Sequence, residues 1–203
     1  MLDSRVRSLI DPMLDHIGSL LARFGLSANI VTVGGFLLGV AGCIAIGFQH
    51  YWIALTLLML NRIADGLDGS IARRRGATDV GGYLDIVLDM IFYSGVPFAF
   101  AVSRAEFALP AAFLIYSFIG TGGSFLAYAA IAAKRGVTTD SLGKKSFYYA
   151  AGLIEGTETV VFFVLCCLWH DRFAVLAWTF GALCWVTTAA RIAAGVIAFR
   201  EPR

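Results

Sequence analysis

Four aspartates, Asp65, Asp68, Asp85 and Asp89, lie within the stretch DGLDGSIARRRGATDVGGYLDIVLD, and apolar sequence surrounds them. Asp65 and Asp68 are three apart, and Asp85 and Asp89 four apart. On a helix either spacing puts both members of the pair on one face. The turn between the pairs, residues 73–79, is short and basic. Two helices joined by such a turn lie antiparallel, so the acid pairs can face each other across a gap. Four acids converging on one point repel unless cations lie between them, which is the geometry of a two-metal site.

The sequence around the acids sets the fold class. The 203 residues are 59% hydrophobic and only 15% charged, and the mean hydropathy is +0.77. A soluble domain of this size is richer in charge. Because the apolar residues come in long runs, the expectation is an all-α protein: a six-helix transmembrane bundle with an N-terminal interfacial amphipathic helix. Residues 1–26 form the juxtamembrane helix and 27–203 the six-helix domain. The first unit has no uninterrupted apolar core and mixes in acids, so it does not read as a signal peptide. Ile10, Met13, Leu14, Ile17, Leu21 and Phe24 recur at helical spacing, with Asp11, Asp15 and His16 opposite. An ordinary helix packed on the rest of the protein is the alternative.

The spans are expected at roughly 28–47, 51–74, 80–103, 107–133, 147–169 and 173–199. Gly35 and Gly39 offer the first span a small-residue face for close helix contact. Pro97 is expected to kink the third. The four cysteines, Cys43, Cys166, Cys167 and Cys184, show no C-x-x-C spacing and read as reduced core residues. No tandem repeat or low-complexity tract is visible.

Lysine and arginine set the orientation. Twelve of the sixteen fall on one side: the N-terminus, the turn at 73–75, the linker after the fourth span, and the tail. Arg104 and Arg172 fall on the other, and Arg62 and Arg191 lie within spans. The positive-inside rule places both termini in the cytoplasm. At a rise of about 1.5 Å per residue, both acid pairs lie on the order of 8–14 Å from the cytoplasmic helix ends. The site is then inside the membrane but opens toward the cytoplasm.

An acid near the centre of a membrane helix costs on the order of 2.5–3.5 kcal/mol, less toward the interface. Pairing with Arg62 and the basic run at 73–75 is one way to retain such residues, and an ion or proton pathway is another. A pathway would string acids across the membrane, whereas these cluster toward one face. Two divalent cations would balance four carboxylates. The basic turn suits phosphate as well. Gly69 and Ala72 share the face of Asp65 and Asp68, and Gly81 shares that of Asp85. Such small residues leave room for a diphosphate carrying a nucleobase.

The run D-x2-D-G-x2-A-R, then G-x3-D-x3-D, resembles the signature of the CDP-alcohol phosphatidyltransferases. Here it comprises Asp65, Asp68, Gly69, Ala72, Arg73, Gly81, Asp85 and Asp89. Seven residues separate Arg73 from Gly81, where the family usually has eight. The first span opens S-A-N-I-V-T, similar to the family's P-N-x-x-T, with Asn29 and Thr32 matching and Ala28 in place of the proline. Helix capping is the alternative reading of Asn29. The stretches LNRIADGLDG, EGTET and ALCWVTTAARI are similar to a small bacterial inner-membrane branch of the family.

The resemblance implies a multi-pass inner-membrane enzyme of phospholipid biosynthesis, with CDP-diacylglycerol as donor, a small alcohol as acceptor and CMP as leaving group. It implies that Asp65, Asp68, Asp85 and Asp89 bind two Mg²⁺ ions, with Mn²⁺ a plausible substitute, and that Asp89 is also the general base. It places Asn29, Thr32, Gly69, Ala72, Arg73 and Thr78 at the donor, and it implies a homodimer. No nucleic acid partner is expected. Lys145, Glu155, Glu158 and Arg191 are candidates for the acceptor pocket. Glu155 and Glu158 could instead pair with Arg62 or Arg191. Two rival functions remain at this level. One is a non-enzymatic transporter or lipid-binding protein that uses the acid cluster. The other is a transferase that joins a soluble CDP-amino alcohol to diacylglycerol.

Overall fold

The computed structural model describes residues 2–136, 154 and 156–200, with side chains from residue 10 onward. The described residues are helical, with no strand among them. Among the described residues seven α-helices follow in order: α1 (Leu2–Arg23), α2 (Ala28–Gly47), α3 (Tyr51–Arg75), α4 (Asp79–Ser103), α5 (Ala108–Lys134), α6 (Gly156–Leu168) and α7 (Phe173–Arg200). Short 3₁₀ turns, Ala105–Phe107 and His170–Arg172, lead into α5 and α7. Among the described residues, four stretches are long and apolar enough to cross a membrane: Ala28–Gly47, Asp79–Ser103, Ala105–Lys134 and His170–Arg200. Helix α3 has 25 residues, long enough to span, but Arg62, Asp65, Asp68 and its basic last turn lower its hydropathy. Helix α6 has 13 residues, shorter than the span expected at 147–169: Ile154 is not helical, and the other residues of 147–155 lie outside the described ones.

The breaks between helices are written locally. Ser27 takes an extended conformation (φ −87°, ψ 148°), and its hydroxyl accepts from Ile30 N to cap α2. The cap is therefore Ser27, and Asn29 lies inside the first turn with its side chain free for another use. Helix α3 stops at Gly76, whose φ of +98° suits a residue without Cβ. Thr78 then caps α4 by accepting from Gly81 N at 3.1 Å. The two-residue interval between Gly76 and Asp79 leaves little room, so α3 and α4 return side by side. Helix α4 continues through Pro97, which is buried.

Helix α2 packs on α3 and α4, and α5 packs on α4 and α7. Glycine sets the closeness of the first contact. A Cβ at Gly35 would lie 2.7 Å from that of Ala64, and one at Gly39 would lie 2.6 Å from the Phe92 ring. Apolar surface gains little by leaving lipid, so this backbone approach carries much of the helix association. At the end of the bundle remote from the 76–78 turn, aromatic rings close the core. Phe100 stacks on Phe173 with centroids 4.2 Å apart, and Phe107 fills the space beside them. Cys166, Cys167 and Cys184 are buried free thiols, and Cys43 is half-buried.

Helix α1 lies against α3. Its apolar positions divide. Leu14 turns inward against Gly66, and Gly18 meets Ser70, whereas Met13, Ile17, Leu20 and Phe24 remain exposed as a stripe. Asp15, expected opposite the apolar face, points at α3. Its carboxylate accepts from the Ser70 hydroxyl at 2.7 Å and from Arg73 at 3.1 Å. These two donors, the hydroxyl first, hold Asp15 below the usual carboxylate range.

Candidate functional site

The i,i+3 and i,i+4 spacings do what helical geometry requires. Helix α3 turns Asp65 and Asp68 toward α4, and α4 turns Asp85 and Asp89 toward α3. All four line one narrow cleft, with a cavity volume of about 10 Å³. One carboxylate oxygen from each of Asp65, Asp85 and Asp89 can be chosen so that all three lie within 4.8 Å of one another. Asp68 is the deepest of the four at 6% exposure. Its Oδ2 is buried with no hydrogen-bond partner among the described residues, and such an atom is costly unless something binds it.

One cation from the described part of the chain enters this cleft. Arg62 is three residues before Asp65, and its Nη2 lies 2.8 Å from Asp89 Oδ1, with Nη1 3.6 Å from Asp65 Oδ2. The guanidinium is fixed from behind. Its Nε donates to Asn61 Oδ1 at 2.8 Å and Nη1 donates to the Tyr93 hydroxyl at 3.0 Å. It also lies over the Phe92 ring at 4.6 Å. One positive charge against four carboxylates leaves the cleft short of cation. The basic run at 73–75 does not make up the difference: Arg73 pairs with Asp15, Arg74 bonds Asp15 O, and Arg75 bonds the carbonyls of Ala22, Gly25 and Leu26. Oxygen-only donors, an unpartnered buried carboxylate oxygen and space on the scale of one water fit a hard divalent cation.

A larger cavity of about 340 Å³ adjoins the cleft. Asn29 and Thr32 line it from α2, Gly69 and Ala72 from α3, and Thr78 and Gly81 from the α4 end. Asp68 and Asp85 border both spaces. A Cβ at position 81 would fall 2.9 Å from Asn29 Oδ1 and 3.1 Å from Thr78 Oγ1, so a side chain there would push Asn29 aside. Arg73 does not line this cavity, but its Nη1 lies 3.5 Å from where a Cβ on Gly69 would be. Arg75 lines it directly. Of the residues expected around a nucleotide, all but Arg73 line one space.

A third cavity, about 320 Å³, opens between α4, α5, α6 and α7. Met90, next to Asp89, and Tyr93, one helical turn beyond it, line this cavity, as do Thr159 and Arg191 from α6 and α7. Arg191 donates to Thr121 O at 3.1 Å and lies over the Phe125 ring. Glu158 is half-buried in the first turn of α6 and does not line this cavity. Lys145 and Glu155 lie outside the described residues.

Sequence reasoning placed the four aspartates and the small-residue cavity together. It read Arg62 as a possible partner of the acids and did not see that the residue also meets Asn61, Tyr93 and Phe92. Helical spacing held the signal, since Arg62 and Asp65 are i,i+3 and Asp89 and Tyr93 are i,i+4. The Asp15–Ser70 contact spans 55 positions and left no such trace.

Comparison with known proteins agrees with this geometry. The sequence model of the CDP-alcohol phosphatidyltransferase family matches residues 25–190. Inner membrane protein YnjF of Escherichia coli (strain K12) is 46% identical over 202 residues, covering 99% of this chain and 98% of that protein. Archaetidylinositol phosphate synthase of Pyrococcus horikoshii is 30% identical over 100 residues, 49% of this chain and 53% of that one. The crystal structure of Mycobacterium tuberculosis phosphatidylinositol phosphate synthase with CDP-DAG bound superposes with a TM-score of 0.67. That match covers 95% of this chain and 99% of that one at 19% identity, a likeness of fold.

Proposed function

The chain belongs to the CDP-alcohol phosphatidyltransferase family, a family of membrane phosphotransferases, and from that premise we propose that it transfers a phosphatidyl group from CDP-diacylglycerol to a small alcohol, releasing CMP. The observation that carries this reading is the shared wall. The acid cleft and the glycine-lined cavity meet at Asp68 and Asp85, so a diphosphate lying across that wall has its nucleoside on one side and its phosphates at the carboxylates. Small residues at 69, 72 and 81 suit a flat base. Asn29, Thr32 and Thr78 offer it hydrogen bonds, and Arg73, reaching past Gly69, is assigned to phosphate.

Asp65, Asp68, Asp85 and Asp89 are the residues that would hold the divalent ions, two Mg²⁺ or Mn²⁺ in this reading. When bound, such ions polarise the phosphoryl group and offset charge on the departing CMP oxygen. Asp89, nearest the third cavity by way of Met90 and Tyr93, takes the proton of the acceptor hydroxyl. The acceptor oxygen then forms its bond to the phosphorus that carries diacylglycerol, and the bond from that phosphorus to the CMP oxygen breaks. Arg191 faces the third cavity, which favours an acceptor that itself bears a phosphate. Two relatives are named for inositol phosphate chemistry, which agrees with that choice.

In the full proposal, residues 1–26 lie in the interface with the exposed stripe of α1 against lipid. Residues 27–203 form six spans with both termini cytoplasmic, in the bacterial inner membrane, as a homodimer. Helix α3 is taken as the second span, with its charged half facing the site, and α6 as part of the fifth.

The test is CMP release by purified protein supplied with CDP-diacylglycerol, Mg²⁺ and, in turn, serine, glycerol 3-phosphate, inositol and inositol phosphate. Release that depends on one alcohol supports the proposal and names the acceptor. Absence of release with every acceptor overturns it. Turnover only with a soluble CDP-amino alcohol and diacylglycerol overturns the choice of donor.

A further inference from the structure

We propose that Arg62 is a built-in counter-ion of the acid centre that competes with divalent cations for Asp89 and Asp65. The inference rests on the reading of the four aspartates as a cation site. A guanidinium keeps its charge at every pH the protein meets, and this one is the only positive side chain lining the cleft among the described residues. It makes its closest ionic contact, 2.8 Å, with the carboxylate assigned as base and ligand. Without it, four carboxylates would stand together in a half-buried cleft with no balancing charge from the described residues.

The arrangement behind Arg62 shows that the carboxylates can leave it without stranding it. Asn61 accepts from Nε at 2.8 Å, and its own Nδ2 donates to Gly35 O at 2.8 Å, which ties the pair to α2. The Tyr93 hydroxyl accepts from Nη1, and the rings of Phe92 and Tyr93 lie 4.6 and 5.2 Å from the guanidinium carbon. When Asp89 and Asp65 turn to a cation, three neutral partners still hold the guanidinium, and it stays as a like charge beside the ion. Two effects follow from this one placement. Arg62 stabilises the cation-free protein, and it weakens cation binding.

The experiment measures Mg²⁺ and Ca²⁺ affinity by calorimetry, with thermal stability in chelator and in saturating Mg²⁺, on the full chain in detergent. Arg62→Met, which keeps the stem and removes the charge, is expected to bind either ion at least about tenfold more tightly than wild type. It is expected to melt earlier in chelator and to recover most of that loss in Mg²⁺. Arg62→Lys, with the charge kept, is expected to stay near wild-type affinity. Equal or weaker cation binding by Arg62→Met overturns the proposal and leaves Arg62 a structural anchor. If wild type binds no cation at all, the reading of the acid site fails and takes this inference with it, a result distinct from the first. Should Arg62→Met fail to fold in either buffer, Arg62→Met/Asp89→Asn decides. A double variant that folds in chelator supports the pairing, and one that does not overturns it.

Discussion

Asp15 on α1 accepts a hydrogen bond from Ser70 on α3 at 2.7 Å, and this contact fastens the N-terminal helix to the helix that carries the first acid pair. The side chain is half exposed, so the link is a surface clasp. The native state holds the Asp15 carboxyl below its ordinary value of 3.8. A depressed carboxyl contributes stability that is fully present above the unfolded value and is lost as pH falls through the folded one. Docking of α1 should therefore weaken only below that ordinary value. Asp15→Asn should weaken it at neutral pH as well. Limited proteolysis at residues 24–27 reads the effect, and unchanged cleavage of Asp15→Asn at neutral pH would show that the clasp is dispensable.

Asp68→Asn should abolish turnover and weaken Mg²⁺ binding, because the carboxylate loses its charge and the buried Oδ2 has no hydrogen-bond partner among the described residues. Chelation of wild type should have the same effect on turnover, reversed by added Mg²⁺. CMP release together with calorimetry checks both, and near-wild-type release by Asp68→Asn sinks the metal assignment.

Asp89→Asn should separate binding from chemistry. Loss of a general base costs on the order of 10²–10⁴ in kcat, while CDP-diacylglycerol binding should survive in part. A matching loss of donor binding and rate would make Asp89 a ligand without a proton-transfer role.

Gly81→Ala should raise the donor KM with a smaller effect on kcat. The added methyl would stand 2.9 Å from Asn29 Oδ1, so the Asn29 side chain must move into the cavity or the α2–α4 gap must widen. Inhibition by CMP gives an independent measure of the same space. An unaltered CMP inhibition constant would mean the base binds elsewhere.

The arginines at the end of α3 should differ. Arg73→Ala should raise the donor KM by about tenfold, the scale of one lost charge-assisted hydrogen bond. Arg75→Ala should instead lower thermal stability, because Arg75 serves three carbonyls at the end of α1. Identical kinetic profiles for the two variants would remove the distinction. On the acceptor side, Arg191→Ala should raise the acceptor KM and leave the donor KM alone, and a change in the donor KM instead would reassign the third cavity.

Much of this was legible in the chain because helices repeat. Spacings of three and four fix which side chains share a face, so Asp65 with Asp68 and Asp85 with Asp89 could be paired before any coordinates. The short basic turn fixed that the two pairs meet. Hydropathy marks four of the six expected spans outright, whereas α3, also expected as a span, is lowered in hydropathy by the charges that make up the candidate site. What could not be read is what one helix finds on another. Ser27, not Asn29, caps α2, because both types cap well and only backbone dihedrals choose between them. Asp15 faces α3 although an amphipathic reading puts it toward water, since a hydroxyl and two arginines wait there. Arg73 to Arg75 look alike in sequence, yet Arg73 meets the Asp15 carboxylate, Arg74 the Asp15 carbonyl, and Arg75 the carbonyls of Ala22, Gly25 and Leu26.

Asp68 and Asp85 border two spaces at once, and a wall held in common makes its two occupants thermodynamically linked. On the proposed reading, a cation drawn to these carboxylates would prepare the neighbouring cavity for a diphosphate, and by reciprocity a bound nucleotide would tighten the cation by the same factor. Free divalent ion and nucleotide would then act as mutual effectors. The enzyme would remain poorly loaded when either is scarce and fill steeply when both are present.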